Sequence, residues 1–144
     1  MFGICIWYEL INTNIYHKIN KDLSKIFKSQ IHIPHLTALK NIKYIDNGHL
    51  ILKKNIYSPK PFFKHGLVYQ TKLKNFYSLQ QDYNDIENNI YHVSLSYKVN
   101  QPFLEKDILY CNTLNLPEII NPNEINVTLW NCNNVYTKKW FKIN

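Results

Sequence analysis

The spacing of apolar side chains changes rhythm along this chain and marks out its elements. Residues 2–10 are a bulky run of β-branched and aromatic side chains closed by Asn12-Thr13-Asn14, which predicts a buried first strand. Over residues 13–29, Ile15, Tyr16, Ile19, Leu23, Ile26 and Phe27 share one helical stripe while Lys18, Lys21, Lys25 and Lys28 share another, so an amphipathic helix with a solvated lysine face is expected. Residues 31–39 read as a second strand, with Pro34 at an edge or start because proline has no N–H to give a ladder. Asp46-Asn47-Gly48 predicts a turn joining residues 41–45 to 50–57 as a hairpin, and Ser58-Pro59-Lys60-Pro61 breaks the chain near its middle.

Residues 65–71 read as a further strand, and Phe76, Leu79, Tyr83 and Ile86 give residues 73–87 a weak helical spacing. Strict alternation over residues 91–99 predicts another strand. Residues 103–114 hold a short helix, and residues 124–130 and 135–143 read as closing strands around a turn at 131–134. The sum is an α+β protein of about seven strands and two or three helices. With 144 residues and no linker signal, positions 1–144 are expected to form one domain.

Composition narrows the classes. A chain that is 45% hydrophobic and 15% aromatic can offset its ordering entropy by burial, which excludes general disorder. The longest apolar run, residues 4–8, is far short of the roughly 18 residues of a membrane span, and no basic stretch precedes it as in a signal peptide. A cytoplasmic protein, probing no membrane and acting as a monomer, is the expectation. The cysteines, Cys5, Cys111 and Cys132, form neither a Cys-x-x-Cys knuckle nor an even framework, so reduced thiols are expected. Gly3, Gly48 and Gly66 are too scattered for a phosphate-cradling loop, which excludes P-loop and Rossmann chemistry.

The net charge of +7 is carried by lysine alone, for the chain has no arginine. Lysine attracts phosphate as a point charge but cannot grip a guanine edge in bidentate fashion, so sequence-specific DNA reading is disfavoured. A small nucleotide or short RNA suits the charge. The bias toward Asn, Ile and Lys also fits an AT-rich genome, which lowers the weight the charge carries.

Two segments share a pattern: His35-Leu36-Thr37 and His92-Val93-Ser94. Both lie in expected strands, where residues two apart point to the same side, so each triplet aims an imidazole and a hydroxyl at one face and sends its apolar residue to the other. About 0.2 such triplets would arise by chance. On strand 91–99 the alternation sets His92, Ser94, Ser96 and Lys98 on one face against Tyr91, Val93, Leu95 and Tyr97. His32 and His35, three apart on a strand, fall on opposite faces, so no metal site is expected.

Paired His-x-Thr/Ser motifs, one in each half, resemble the two-histidine (2H) phosphoesterase superfamily, including its LigT-like and cyclic-nucleotide phosphodiesterases. The resemblance spans nearly the whole chain, from the opening strand and helix through both motifs to the strand at residues 127–130. It implies a bilobal fold in which two antiparallel sheets form a central groove with helices outside, and a phosphodiesterase needing neither metal nor other cofactor. His35, Thr37, His92 and Ser94 would be catalytic, the imidazoles serving as general base and general acid and the hydroxyls holding nonbridging phosphate oxygens. Trp7, Tyr8, Phe62, Phe63, Tyr69 and Tyr97 are candidate base-stacking residues, with Tyr8 and Tyr97 assigned to substrate binding, and Lys98, also assigned to substrate binding, stands where several LigT-like members carry a basic residue after the second motif. The implied substrates are 2′-linked phosphodiesters: 2′,5′-oligoadenylates or cyclic dinucleotides such as 2′,3′-cyclic GMP-AMP. Compact single-domain enzymes of this kind resemble those that viruses use against nucleotide immune messengers, which would place the protein in a host cytosol. The alternatives are a 2′,3′-cyclic phosphodiesterase acting on RNA ends, with the same four residues, and a non-enzymatic nucleotide- or RNA-binding module built on lysines and aromatics.

Overall fold

A computed structural model describes residues 1–143. In chain order the elements are β1 (Ile4–Leu10), α1 (Tyr16–Phe27), β2 (His35–Ile42), α2 (Ile45–Lys53), β3 (Phe62–Leu73), β4 (Phe76–Asn84), β5 (Ile90–Val99), α3 (Glu105–Cys111), β6 (Ile119–Ile120), β7 (Ile125–Asn131) and β8 (Phe141–Lys142). The α+β class follows directly. The strands form one eight-stranded sheet in the order β6-β3-β4-β5-β2-β1-β7-β8, antiparallel at every step. Two sheets were expected; the structure has a single one, joined at its middle by one register pair, Leu36 with Val93.

The helices cover one face of this sheet. Tyr16, Leu23 and Phe27 of α1 bury against Leu36, Val93 and Leu95, and Cys111 of α3 joins the same core. Lys28 ends α1 in the left-handed region at φ 53°, its N–H donating to the Ser24 carbonyl, so the stripe of apolar residues stops where the chain turns toward β2. The opposite face carries a smaller cluster of Cys5, Trp7, Phe76, Tyr97, Trp130 and Trp140. None of the described helices is long and apolar enough to cross a membrane.

Three sequence expectations are corrected. The hairpin around Asp46-Asn47-Gly48 is instead helix α2, with Gly48 inside it. Its missing side chain is used for packing: a Cβ there would lie 2.8 Å from Leu129 Cδ1, so glycine lets α2 lie close to β7. The weak helix at residues 73–87 is instead the end of β3 and strand β4, which pair through a two-residue turn at Lys74–Asn75 with Lys74 at φ 54°. Phe76 belongs to the smaller cluster and Leu79 to the helix-covered core, so the helical spacing of these apolar residues comes from two different faces. Residues 135–143 supply only the two-residue β8, after a 3-10 turn at Thr137–Lys139.

Candidate functional site

The helix-free face of the sheet holds a cavity of about 540 Å³, within the range of about 300–1,000 Å³ typical of small-molecule sites. His35, Thr37, His92 and Ser94 all line it. Alternation puts them there: Leu36 and Val93, the middle residues of the two triplets, are fully buried in the helix-side core. Extending the antiparallel Leu36–Val93 pair by one residue each way sets His35 beside Ser94 and Thr37 beside His92. The two motifs therefore meet head to tail, related by an approximate twofold axis through that pair.

Each motif is followed by the same irregularity. Trp7 pairs with Thr37 and Ile6 with Leu39, leaving Ala38 as an extra residue; Gln80 pairs with Ser94 and Leu79 with Ser96, leaving Leu95 as one. Bulges of this kind re-aim the side chains beyond them.

His35 is held by a hydrogen bond and a stacked ring. Its Nδ1 donates to the Ile33 carbonyl at 2.8 Å, which leaves Nε2 as the proton acceptor of the neutral ring. Trp7 stacks flat on it, with ring centroids 3.4 Å apart and planes 5° apart, and Trp130 stacks on the far side of Trp7 at 4.3 Å. Burial pushes the His35 imidazole down to about 3, against the Ile33 bond, with His32 and His92 adding to the depression. His35 is thus neutral at physiological pH.

His92 differs. It sits exposed on β5, opposite Asp82 of β4. Partial enclosure lowers its basicity; the Asp82 carboxylate opposes this and the Lys40 ammonium adds to it. Asp82 is itself fixed by the Tyr69 hydroxyl, which donates to its Oδ1 at 2.7 Å. Ser94 is anchored through its backbone and side chain. Its carbonyl accepts from His32 Nε2 at 2.8 Å, and its hydroxyl lies 3.2 Å from that of Ser78. Asn20 completes this support, its side chain bonding both the His32 ring and the His32 backbone N–H. Burial holds the His32 imidazole down to about 4, so this fully bonded ring is neutral and positions Ser94.

The remaining sequence-predicted residues separate. Tyr97 lines the cavity, packed against Phe76 and Trp140. Lys98 does not: it lies over the Phe103 ring at 4.9 Å, on the helix side. The Leu95 bulge causes the exchange, because one extra residue inverts the alternation after Ser94 and brings Tyr97 to the face expected for Lys98. Tyr8 is also on the helix side, fully buried and packed on Phe62, whereas its neighbour Trp7 faces the cavity.

Sequence reasoning offered Trp7 only as a base-stacking surface and did not single out the supporting roles of His32 and Asp82, nor the presence of Lys40 at the cavity. Only the side-chain period offered a signal: Trp7 shares a strand face with Cys5 and Glu9, but nothing in the sequence says which face meets His35. Cys5 and Cys132, far apart in sequence, are both buried free thiols on the cavity wall, and the Cys5 thiol donates to the Phe2 carbonyl at 3.3 Å. Among the described residues no three His, Cys, Asp or Glu side chains gather closely enough to share a metal ion. Comparison with protein-family models, curated proteins and solved structures gives no match to this chain.

Proposed function

We propose that this protein is a phosphodiesterase that works by two-histidine acid–base catalysis without a metal, on 2′-linked phosphodiesters of small nucleotides. The observation that carries the reading is the convergence of His35, Thr37, His92 and Ser94, from two strands, on one cavity. On this reading the two halves of the sheet, β2-β1-β7-β8 and β6-β3-β4-β5, act as two lobes about the Leu36–Val93 seam, each donating one histidine and one hydroxyl.

Both imidazoles are lowered by burial, but only His92 faces a carboxylate, Asp82, that favours its protonated form, and this difference divides acid from base. His35, neutral and with Nε2 unprotonated, is the general base; it takes the proton of the attacking hydroxyl or water as the new O–P bond forms. His92, beside Asp82, is the general acid; it gives its proton to the departing oxygen as the old P–O bond breaks. Thr37 and Ser94 donate to the nonbridging oxygens, where negative charge builds in the transition state. Preferred substrates are 2′,5′-oligoadenylates and 2′,5′-linked cyclic dinucleotides, and destruction of such messengers in a host cytosol is the biological role the reading favours.

Product analysis in excess chelator, with 2′,5′-oligoadenylate, 2′,3′-cyclic GMP-AMP and 2′,3′-cyclic nucleotides as substrates, tests this. Metal-free cleavage of the first two is the expected result. Preference for the cyclic mononucleotides would shift the role to RNA ends, and binding without cleavage of any of them would make the protein a nucleotide-binding module.

A further inference from the structure

Gln80 stands on the wall of the cavity, only 9% exposed, and among the described residues its carboxamide has no hydrogen-bond partner. The other glutamines enclosed by the fold are engaged. Gln30 Oε1 accepts from the Thr137 N–H at 2.8 Å, Gln70 Oε1 accepts from the Phe103 N–H at 2.7 Å, and the Gln81 amide donates to the His65 and Gly66 carbonyls. The side chains next to Gln80 are bonded elsewhere. Its cross-strand partners are Tyr69 of β3 and Ser94 of β5; the Tyr69 hydroxyl donates to Asp82, and the Ser94 hydroxyl accepts from Ser78 at 3.2 Å. Burying a carboxamide without a partner costs stability, so an unpaired one facing a cavity calls for a ligand that completes its bonds.

Position says which ligand atom that is. Ser94 has His35 beside it on β2 and Gln80 beside it on β4, so His35, Ser94 and Gln80 form one row across three neighbouring strands. Side chains directly opposite on an antiparallel pair have their Cβ atoms about 4.5–5.5 Å apart, which brings an oxygen held by the Ser94 hydroxyl within reach of the Gln80 amide. Because Ser78 donates to Ser94, the Ser94 proton is free for that oxygen. Lys40, on the same cavity wall and in no ion pair among the described residues, favours an anion there. A base stacked on Tyr97 would meet Ser78, its cross-strand partner, before Gln80. We propose that Gln80 is a third donor to the reacting phosphate, its Nε2–H binding the nonbridging oxygen that Ser94 also holds. This rests on the phosphodiesterase reading and adds a catalytic residue to it. Gln80 exchanges no proton; its amide dipole stabilises the negative charge that builds on that oxygen as the new O–P bond forms.

The test is titration of the wild type, Gln80→Leu and Gln80→Glu with inorganic phosphate, followed by NMR of the side-chain amides. Gln80→Leu removes polar atoms that bond nothing in the protein, so its urea-unfolding midpoint should be no lower than that of the wild type. In the wild type the Gln80 amide signals, identified by their loss in Gln80→Leu, should move as phosphate is added. Gln80→Leu should bind phosphate about tenfold or more weakly, and Gln80→Glu, which keeps the shape but replaces the donor with a negative charge, more weakly again. Amide signals that stay still or move only with adenosine, an affinity in Gln80→Leu within about twofold of wild type, or the absence of phosphate binding overturns the proposal. A lower unfolding midpoint in Gln80→Leu does so too, because it would mean that the amide has a partner within the protein. Binding is read without turnover, so the two ideas fail separately. Phosphate held through Gln80 in a protein that cleaves nothing would sink the enzyme reading and leave the contact standing, whereas cleavage with phosphate binding indifferent to Gln80 would sink this donor alone.

Discussion

Leu36 and Val93 face each other across the centre of the sheet as the register pair that joins β2 to β5. Both are fully buried beneath the helices, and each is flanked by a histidine and a hydroxyl that turn the other way, into the cavity. The separation of the two histidine–hydroxyl motifs is therefore set by backbone pairing and core packing and not by loops, and sites built on strands hold their geometry best. A polar or bulky substitution at either residue would disturb both motifs together.

Trp7 carries a consequence for His35. When the imidazole takes up a proton, the resulting cation lies flat on the indole, an attraction absent from the neutral ring and worth about 1–2 kcal/mol. Trp7→Phe keeps an aromatic ring but a poorer one. Steady-state kinetics should show kcat falling about tenfold with KM little changed. The imidazolium loses support, so the acid limb of the pH–rate profile should move to lower pH. An unchanged kcat and profile would remove Trp7 from the mechanism.

Acid stability follows from the buried histidines. Folding holds His32 and His35 at about 4 and about 3, below the ordinary 6.5, so on acidification the unfolded chain binds protons that the native state refuses. Stability is complete above about pH 6.5 and declines as pH falls toward 4 and then 3, at on the order of 1 kcal/mol per pH unit for each histidine. Urea unfolding at a series of pH values should show this slope, and His32→Gln should flatten it between 6.5 and 4. The same variant loses the bond to the Ser94 carbonyl, so it should also lower stability at neutral pH by about 1–3 kcal/mol.

Gly48→Ala sets two effects against each other. Alanine improves helix propensity by about 1 kcal/mol, but its Cβ would collide with Leu129, which is fully buried and has Ile42 close by. Net destabilisation of about 1–2 kcal/mol is expected, because overpacking of a closed core typically costs 1–3 kcal/mol. Chemical denaturation measures it, and Leu129→Val in the same chain should recover part of the loss. Stabilisation by Gly48→Ala would mean that α2 does not lie so close to β7.

Lys98→Ala should leave turnover within about twofold of wild type, because the ammonium rests on Phe103 among the helices and away from the cavity. A loss approaching that of a histidine variant would contradict the placement of the bulge in β5.

The paired triplets were legible in the sequence because they depend only on the period of a strand, and the backbone keeps that period through Thr37 and Ser94. On β5 the reading failed one step later. Nothing in Ser94-Leu95-Ser96 announces an extra residue, yet that residue exchanges Tyr97 for Lys98 at the cavity. Similarly, Lys74–Asn75 lacks the Asn-Gly or Asp-Gly signature of a two-residue turn, so β3 and β4 were hidden behind a chance helical spacing. Gly48 misled in the opposite sense: its smallness answers a tertiary contact with Leu129, which no local pattern reports. Tyr8 and Trp7 are adjacent bulky aromatics, and only the register with Leu36 and Thr37 decides which of them meets the cavity.

The central claim is that His35 and His92 act on one phosphate as a unit, and a double-mutant cycle on turnover in excess chelator tests it most directly. With 2′,5′-oligoadenylate or 2′,3′-cyclic GMP-AMP as substrate, His35→Ala and His92→Ala should each lower kcat by about 10²–10⁴, and the double variant should be scarcely slower than either, since groups that act together are strongly non-additive. Turnover that persists in either single variant, or losses that simply multiply, would contradict the two-histidine account.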